Sequence, residues 1–367
     1  MTAAGTATGQ ADRVLGGWLG RIAGNMLGKP VERGDYWTRD RIDRYLRRTG
    51  ALPLTDYLPE PPAGSADGSD DFELRPEWRQ CVRGRIHGSC RDDDVDYAIL
   101  GLDLLETHGF DFSTEQVGEL WLLRLPFLQT FTAERAAYRN LAAGLRPPLT
   151  ATYDNPYQEW IGALIRADIY GWTCPGDPAA AAEQAYRDAT LTHTANGVYA
   201  AMFTAATIAR AATGTHDIHA CLRTGLTVVP PRSRLAAAIH HGIQLAQSHP
   251  DFDTVVDELH ATHATTYHWV HAIPNTALIA AALTHADGDF TGSICRAVSG
   301  GWDTDSNGAT AGSIAALLAG SPAALPGRWT DPLKNRLATS VADFNGTGFD
   351  TLAQLTHSLT HLEPVHP

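Results

Sequence analysis

The stretch Gly300-Gly-Trp-Asp-Thr-Asp-Ser-Asn-Gly308, with ATAGSIAALLA after it at 309–319, constrains the fold more than any other. Acids and a hydroxyl at the start of a helix accept hydrogen bonds from its free N–H groups and suit the positive end of its dipole. The small residues that follow let another helix approach closely. The stretch therefore predicts a tightly packed helix with an acidic N-terminus, although helix capping alone could account for the acids.

A second stretch, GRIAGNMLGKPVE at residues 20–32, supplies a matching face of small residues. Its glycines recur at every fourth position, which aligns them along one side of a helix. Close helix packing by itself explains these glycines. The arginine, asparagine and lysine between them exclude a lipid-embedded glycine dimer motif. Glu32 follows a proline closely and is predicted to lie at the exit of this helix.

Carboxylates also precede a third helix, where Arg91-Asp-Asp-Asp-Val-Asp96 comes before an apolar run. Capping is again an alternative explanation. Two acidic helix starts could, however, bring four carboxylates to one point. Like charges about 4 Å apart repel by about 4 kcal/mol per pair at an effective dielectric constant near 20. Such a cluster needs cations, and oxygen ligands favour hard ions such as Mg²⁺ or Mn²⁺ over Zn²⁺.

The rest of the chain has a predominantly helical pattern, and no segment alternates apolar and polar residues as a strand would. Alanine-rich stretches with helical spacing lie at 178–187, 195–212, 234–248 and 307–319. We predict an all-α protein with a single domain over 1–367, because no linker separates the segments of the candidate site. Residues 1–12 are expected to form a flexible tail. Residues 52–74 are expected to form an irregular, acidic excursion that could cover a site.

Composition and charge exclude several classes of protein. With 28 basic and 41 acidic residues among 367, the net charge is −13, which argues against nucleic acid as a partner. A chain of this length buries about 75% of its unfolded surface and needs no disulfide scaffold. The five scattered cysteines suit a reducing compartment, and we find neither a signal peptide nor an apolar run of membrane-spanning length. We expect a cytoplasmic protein with no membrane partner.

In combination, these motifs resemble those of the ADP-ribosylglycohydrolase family, which includes dinitrogenase-reductase-activating glycohydrolase. Residues 20–32 are similar to the family's GDxxGxxxE motif, residues 92–93 to its TDDT motif and residues 301–306 to its GGDTDT motif. Between them, 189–193 resembles a mid-chain Ser/Thr-His segment and 162–166 resembles a GAMR stretch that borders the ligand. The similar segments keep the family's order along the chain.

The resemblance implies a compact orthogonal multi-helix bundle with one or two Mg²⁺ ions, replaceable by Mn²⁺, in a cleft that takes ADP-ribose. The metal ligands that it implies are Asp92, Asp93, Asp303, Asp305 and Ser306. Glu32 falls where many members keep an acid near the scissile bond, and we expect it to act as general base or to position water. The residues that we expect to contact substrate are Asn25, Asp94, Tyr157, Arg166, His193 and Trp302.

Several of these assignments have alternatives. Tyr157 could stack on a base and Arg166 could meet a phosphate, or their segment could only cap a helix. His193 could face the ligand or be a core histidine. Four histidines within 260–271 favour a solvated or interface face over a zinc site, because neither thiols nor an HExxH pattern accompany them.

Three departures from the family pattern bear on function. Arg91 replaces a threonine that is usually a ligand, so it either competes with a second cation or points away while Asp94 takes the ligand's place. Trp302 is inserted in the third motif, and Ile161 stands where asparagine is often seen, so both would reshape the pocket.

The expected function is a Mg²⁺-dependent hydrolase of the C1 ribosyl bond of an ADP-ribosylated substrate. One alternative is an N-ribosidase that acts on a small nucleotide-, nucleoside- or NAD-derived metabolite in a biosynthetic pathway. The other is a non-catalytic binding or structural protein on the same fold.

Overall fold

The computed structural model of the chain describes residues 3–61, 72–74 and 76–360. Within these ranges there are seventeen α-helices and no strand, only an isolated β-bridge between Trp160 and His271. The all-α fold class that the alanine-rich pattern predicted is confirmed. None of the helices in these ranges is long and apolar enough to span a membrane.

The helices follow one another along the chain with short connections. The first eight are α1 (Ala3–Gly28), α2 (Arg39–Arg48), α3 (Asp93–His108), α4 (Thr114–Arg124), α5 (Thr132–Ala142), α6 (Leu149–Thr152), α7 (Asp168–Thr173) and α8 (Pro178–Ala189). The remaining nine are α9 (Ala195–Ala211), α10 (Ile218–Thr227), α11 (Arg234–Ser248), α12 (Phe252–His263), α13 (Ala272–His285), α14 (Phe290–Ser299), α15 (Thr304–Ala319), α16 (Gly327–Thr330) and α17 (Phe349–Leu359). Two 3₁₀ turns help to build the site, Lys29–Val31 directly after α1 and Ile161–Arg166 shortly before α7.

Helices α1 and α15 pack antiparallel at very close range in the centre of the fold. A Cβ built on Gly24 would lie 1.8 Å from the carbonyl oxygen of Gly308. One turn further along, Thr304 donates its hydroxyl to the carbonyl oxygen of Gly28 at 2.9 Å. The two small-residue faces predicted from the sequence are therefore the two sides of one interface. As a result, the C-terminal end of α1 meets the N-terminal end of α15.

The two irregular segments expected from the sequence differ in outcome. Residues 3–12, expected to form a tail, are helical here, because the alanine-rich sequence continues into α1 without a proline. The parts of the excursion at 52–61 and 72–74 contain no helix, in line with their proline and glycine content. Residues 62–71, ten of the 23 residues of the predicted cover, lie outside the described ranges. That 1–367 forms a single domain stays a prediction.

Candidate active site

Three chain segments bring the acidic motifs together at one place. Helix α1 delivers Glu32 through the 3₁₀ turn that follows it, and α15 begins directly after Asp303. Helix α3 begins at Asp93. The starts of α3 and α15 touch where Ser306 donates its hydroxyl to the carboxylate of Asp94 at 3.1 Å. The close packing of α1 on α15 thus brings together Glu32 and Asp303, which are 271 residues apart in sequence.

A cavity of about 490 Å³ lies over these helix ends, within the range typical of small-molecule sites. It is lined by six of the residues predicted for the site, Glu32, Asp93, Asp94, Asp303, Asp305 and Ser306. Aromatic rings of Phe131, Trp160 and Trp269 contribute to the lining as well. The cavity combines an acidic cluster with apolar surfaces on which a sugar or a base can rest.

Two groups of three carboxylates in the cluster could hold a metal ion, and they share Asp305. One group also contains Glu32 and Asp303, the other Asp92 and Asp94, and in each the ligand atoms lie within 4.8 Å of one another. Asp305 Oδ1 is buried and has no hydrogen-bond partner among the described residues. A buried carboxylate oxygen without a donor is costly unless a cation binds it. The donor set therefore fits a hard divalent ion.

Lys29 places an ammonium group inside this cluster. Its Nζ lies 2.7 Å from Glu32 Oε2 and 3.1 Å from Asp305 Oδ2, and it also contacts Asp92 Oδ2. Burial opposes the charge, but these carboxylates outweigh burial and raise the pKa of Lys29 well above its usual value. Nothing in the sequence singled out Lys29, because a lysine three residues before a glutamate at a helix end is typical of a surface ion pair.

Most of the acids in the cluster are harder to ionise than usual. Burial, followed by the charge of Asp305, raises the pKa of Glu32 to about 7 and that of Asp303 well above its usual range. Burial and the neighbouring Asp92 have the same effect on the pKa of Asp93. Asp92 differs, because Lys29 overcomes the effect of burial and lowers the pKa of Asp92. The cluster carries more negative charge than its own lysine balances.

Arg91 points away from the cavity. Its guanidinium donates to Ser340 Oγ at 2.6 Å and lies 3.6 Å from Asp96 Oδ2. Of the two alternatives left by the sequence, the structure supports the one in which Arg91 does not compete with a cation. Asp94 then stands among the carboxylates that could hold a metal.

The sequence matches the profile of the family described as ADP-ribosylglycohydrolase over residues 6–365. The chain belongs to the ADP-ribosylglycohydrolase family. Membership supports a glycohydrolase-type function.

A solved structure of the ADP-ribosylglycohydrolase type, named "ADP-ribosylglycohydrolase-related protein complex", has a similar fold. The TM-score is 0.56 at 20% sequence identity, and the alignment covers 96% of this chain and 99% of that one. At this identity the similarity bears on the fold alone, where it supports the all-α ADP-ribosylglycohydrolase architecture. A comparison with curated proteins gave no match.

Asn25 lies behind the cavity wall, where it supports Asp92 of the second motif. It donates its side-chain N–H to Asp92 Oδ1 at 3.0 Å. Asp92 also lies outside the cavity lining, where its carboxylate accepts from the Asp94 backbone N–H at 3.1 Å and caps α3. The structure therefore gives no support to the predicted substrate contact of Asn25.

Arg166 and His193 lie behind the cavity wall. The guanidinium of Arg166 is buried and pairs with Glu134 at 2.9 Å and with Asp188 at 3.0 Å, and it also donates to the Thr192 hydroxyl at 2.7 Å. Because these groups occupy the guanidinium, the structure does not support the predicted contact of Arg166 with a phosphate. Arg166 instead positions Glu134, which lines the cavity. Burial and the charge of Arg166 lower the pKa of His193 well below its usual value, as in a neutral core histidine.

Tyr157 and Trp302 lie beside the cavity. The Tyr157 ring packs edge-on against Trp160, with centroids 4.6 Å apart. Trp302 has φ +58°, a strained conformation for a bulky residue, and its buried ring stacks on His260 at 4.1 Å. It lines a neighbouring cavity of about 580 Å³. The tryptophan inserted in the third motif therefore shapes that cavity rather than the acidic one.

The histidines of 260–271 take part in building the site without forming a metal group among the described residues. The ring N–H of His260 lies 2.8 Å from the carbonyl oxygen of Gly300 and so holds the loop before α15. His268 stacks on Trp160 at 4.4 Å, and both His268 and Trp269 line the two cavities. The sequence predicted a solvated or interface face here. It could not show these contacts, because the partners are distant in sequence.

Proposed function

We propose that this chain is a metal-dependent glycohydrolase that cleaves the C1 ribosyl bond of an ADP-ribosylated substrate, with Mg²⁺ as the ion and Mn²⁺ as a substitute. The observation that carries the proposal is the convergence of three acidic segments on one cavity lined in part by aromatic rings. The vicinal hydroxyls of a ribose match a cluster of carboxylates and cations, and an aromatic ring offers a surface for a sugar or base. Family membership supports the same class of reaction.

Glu32 is our candidate for the general base. In the proposed reaction, water adds to C1 of the ribose while the C1–N or C1–O bond breaks and the leaving group takes up a proton. The Glu32 carboxylate lines the cavity and can accept the proton of that water. Asp93 lines the same cavity and, when ionised, would stabilise the positive charge that develops at C1.

Asp303 and Asp305 are the residues that we propose to hold the divalent ion, with Glu32 beside it. When bound, such an ion supplies positive charge that orients hydroxyl groups and polarises the reacting oxygen. Ser306 contributes by donating to Asp94, which keeps the start of α3 next to the start of α15.

A second candidate is hydrolysis of an N-ribosyl bond in a smaller nucleotide-, nucleoside- or NAD-derived metabolite. The charge of the lining favours it, since seven carboxylates face the cavity against the two cationic side chains of Lys29 and Arg33. Recognition of a pyrophosphate draws on arginines and lysines, and the predicted phosphate contact, Arg166, is committed to Glu134 and Asp188. A substrate with fewer phosphates needs fewer cations from the protein.

A cytoplasmic location belongs to the same proposal. It is supported by the five cysteines, all of them free and four of them buried.

A hydrolysis panel followed by mass spectrometry tests the proposal and separates the two candidates. The panel contains ADP-ribosyl-arginine, ADP-ribosyl-serine, O-acetyl-ADP-ribose, NAD and simple nucleosides and nucleotides, each with Mg²⁺ or with EDTA. Mg²⁺-dependent release of ADP-ribose from one of the first three supports the first candidate. Turnover of a nucleoside, a nucleotide or NAD alone supports the second. If no compound is cleaved, the result favours a non-catalytic protein on this fold.

A further inference from the structure

The two carboxylate groups of the site are not equivalent, because protein donors already satisfy one of them. Asp92 Oδ1 accepts from Asn25 and from the backbone N–H of Asp94, and Asp92 Oδ2 contacts the ammonium of Lys29. Asp94 has one oxygen 3.3 Å from the guanidinium of Arg21 and the other 3.1 Å from the hydroxyl of Ser306. All four oxygens contributed by these two aspartates therefore have a partner without any bound ion.

The group of Glu32, Asp303 and Asp305 is less well satisfied. Asp305 Oδ1 has no hydrogen-bond partner within the described ranges, although it is buried. Asp303 lies at the start of α15 without capping it through its side chain. Among the described residues, only Lys29 forms ion pairs with this group, through Glu32 and Asp305 Oδ2.

We propose that Lys29 is a built-in substitute for one cation of the site, so that the chain binds a single divalent ion, among Glu32, Asp303 and Asp305. Lys29 Nζ contacts Glu32 in one group, Asp92 in the other, and Asp305, which the two groups share. Its single positive charge can therefore balance carboxylates of both groups. Two unit charges of the same sign about 4 Å apart repel by about 4 kcal/mol at an effective dielectric constant near 20, and a divalent ion doubles this. An ion between Asp92 and Asp94 would meet this repulsion from two cationic side chains, Lys29 on Asp92 and Arg21 on Asp94, and a second ion there is therefore disfavoured.

The choice of lysine at this position supports the inference. Only two of the chain's 28 basic residues are lysines, Lys29 and the exposed Lys334, and the other 26 are arginines. An ammonium is a compact point charge that can be surrounded by three carboxylates, whereas a planar guanidinium presents its donors in a fixed fork. At this position a lysine therefore resembles a bound cation more closely than an arginine would.

Counting bound Mn²⁺ tests the inference, which rests on the proposed function only in that a divalent ion binds here. We would titrate the wild type, Lys29→Met and the control Lys334→Met, using electron paramagnetic resonance to measure free Mn²⁺. The expected counts are one ion per chain for the wild type and the control, and two for Lys29→Met. A wild-type count of none or two, or fewer than two ions in a Lys29→Met protein with an unchanged helical circular dichroism signal, would overturn the inference.

A second measurement on the wild type keeps the test decisive if Lys29→Met does not fold. Labelling with ¹³C-lysine gives two ε-methylene signals, and a Lys334→Arg variant assigns them. Mn²⁺ is expected to broaden the Lys29 signal completely at one equivalent and to leave that of Lys334 sharp. An unaffected Lys29 signal, or broadening that needs two equivalents, would contradict the inference.

The ion count and the hydrolysis panel test two separate claims, the role of Lys29 and the proposed function. One ion bound with no substrate cleaved would contradict the proposed function and leave the role of Lys29 standing. Cleavage by a wild type that binds two ions would support the function and exclude that role.

Discussion

A substitution of Asp303 can test the chemistry of the site without disturbing the fold. It occupies the N-cap position of α15, but its side chain makes no capping hydrogen bond. Asp303→Asn should therefore leave the fold intact while removing a carboxylate from the proposed ion site. Since loss of an outer-shell partner costs about 10–100-fold in metal affinity or activity, we expect turnover to fall by at least about 10²-fold.

The matched control is Asp217→Asn, at the N-cap of α10 and away from the cavity. Steady-state turnover with Mg²⁺ and the helical circular dichroism signal should be measured for both variants. Asp303→Asn turnover equal to that of Asp217→Asn would remove Asp303 from the mechanism.

Glu32→Gln tests the proposed base. The variant keeps the shape of the side chain but cannot take a proton, so kcat should fall by about 10²–10⁴-fold, the range for loss of general acid–base catalysis. Substrate affinity, measured by calorimetry, should change little. The exposed carboxylate of Glu115 on α4 provides the control Glu115→Gln. A kcat within a few-fold of the wild type would show that Glu32 is not the base.

The sequence predicts some residues of the site well and others poorly. Glu32 and Asp303 were visible because carboxylates beside closely packed helix ends are unusual as a set. The phosphate contact of Arg166 stays a prediction that the structure does not support. Its partners Glu134 and Asp188 are 32 and 22 residues away, and only the fold shows that they occupy its guanidinium. Lys29 was missed because its nearest acid in sequence, three residues on, gave it an ordinary explanation.

The interface of α1 and α15 is the element on which the site depends. Gly24→Ala puts a methyl group against the Gly308 backbone, which cannot move without separating the helices. Overpacking of this kind costs about 1–3 kcal/mol, and we expect a loss of activity as well because Glu32 and Asp303 sit on opposite sides of the interface.

Gly9→Ala in the same helix is the control for that substitution. No atom lies within 4 Å of the added methyl group, and alanine favours a helix over glycine by about 1 kcal/mol. Urea unfolding of both variants should show a destabilised Gly24→Ala and a Gly9→Ala as stable as the wild type or more so. Equal free energies of unfolding for the two variants would contradict this account of the interface.

The segment between α8 and α9 should make stability depend on pH through His193. Burial, with the charge of Arg166, lowers the pKa of His193 in the folded chain, while an unfolded histidine has a pKa of about 6.5. Below that pH the unfolded chain binds a proton that the folded chain does not, so the free energy of unfolding falls as pH falls. Between pH 7.5 and 5.5 this lowers the free energy of unfolding by on the order of 1 kcal/mol.

His193→Gln removes that contribution, and His240→Gln at an exposed position is its control. The quantity to compare is the change in unfolding free energy between pH 7.5 and pH 5.5 in each variant. If the unfolding free energy of His193→Gln changes as much between these two pH values as that of the wild type, His193 is not neutral in the folded protein.

At the scale of elements, the sequence predicts helices better than it predicts where they end. Alanine-rich spacing identified α8, α9, α11 and α15, whose buried faces are extensive. The start of α1 was placed too late, because the alanine, threonine and glycine of its first turns give no hydrophobic periodicity. Only contacts across the fold decide such a boundary.

The whole molecule carries a net charge of −13, and several of its acids are crowded around one cavity. An ion that binds only the folded chain stabilises it by about 2.7 kcal/mol at a concentration 100 times its Kd. We therefore expect Mg²⁺ or Mn²⁺ to raise the melting temperature measured by differential scanning fluorimetry, and EDTA to reverse the rise. Asp303→Asn should abolish it. A rise of the same size in that variant would place the ion elsewhere.

The all-α class was accessible from the helical pattern of the sequence, and the resemblance of its motifs to a known family implied the bundle architecture. The charge balance of the cavity was not accessible, since it depends on which arginines turn inward to buried partners and which acids face the ligand. Arg91, turned toward Ser340, and Arg166, turned toward Asp188, both left the cavity more acidic than the motifs alone suggested.

The central claim is metal-dependent cleavage of a ribosyl C1 bond in the acidic cavity. The most direct measurement is product formation across the hydrolysis panel, followed by mass spectrometry, for the wild type and Asp303→Asn, each with Mg²⁺ and with EDTA. We expect the wild type to release the ribosyl product with Mg²⁺. We expect no product above background from the wild type with EDTA or from Asp303→Asn with either addition. Cleavage that persists in EDTA or in Asp303→Asn, or no cleavage of any compound by the wild type, would contradict it.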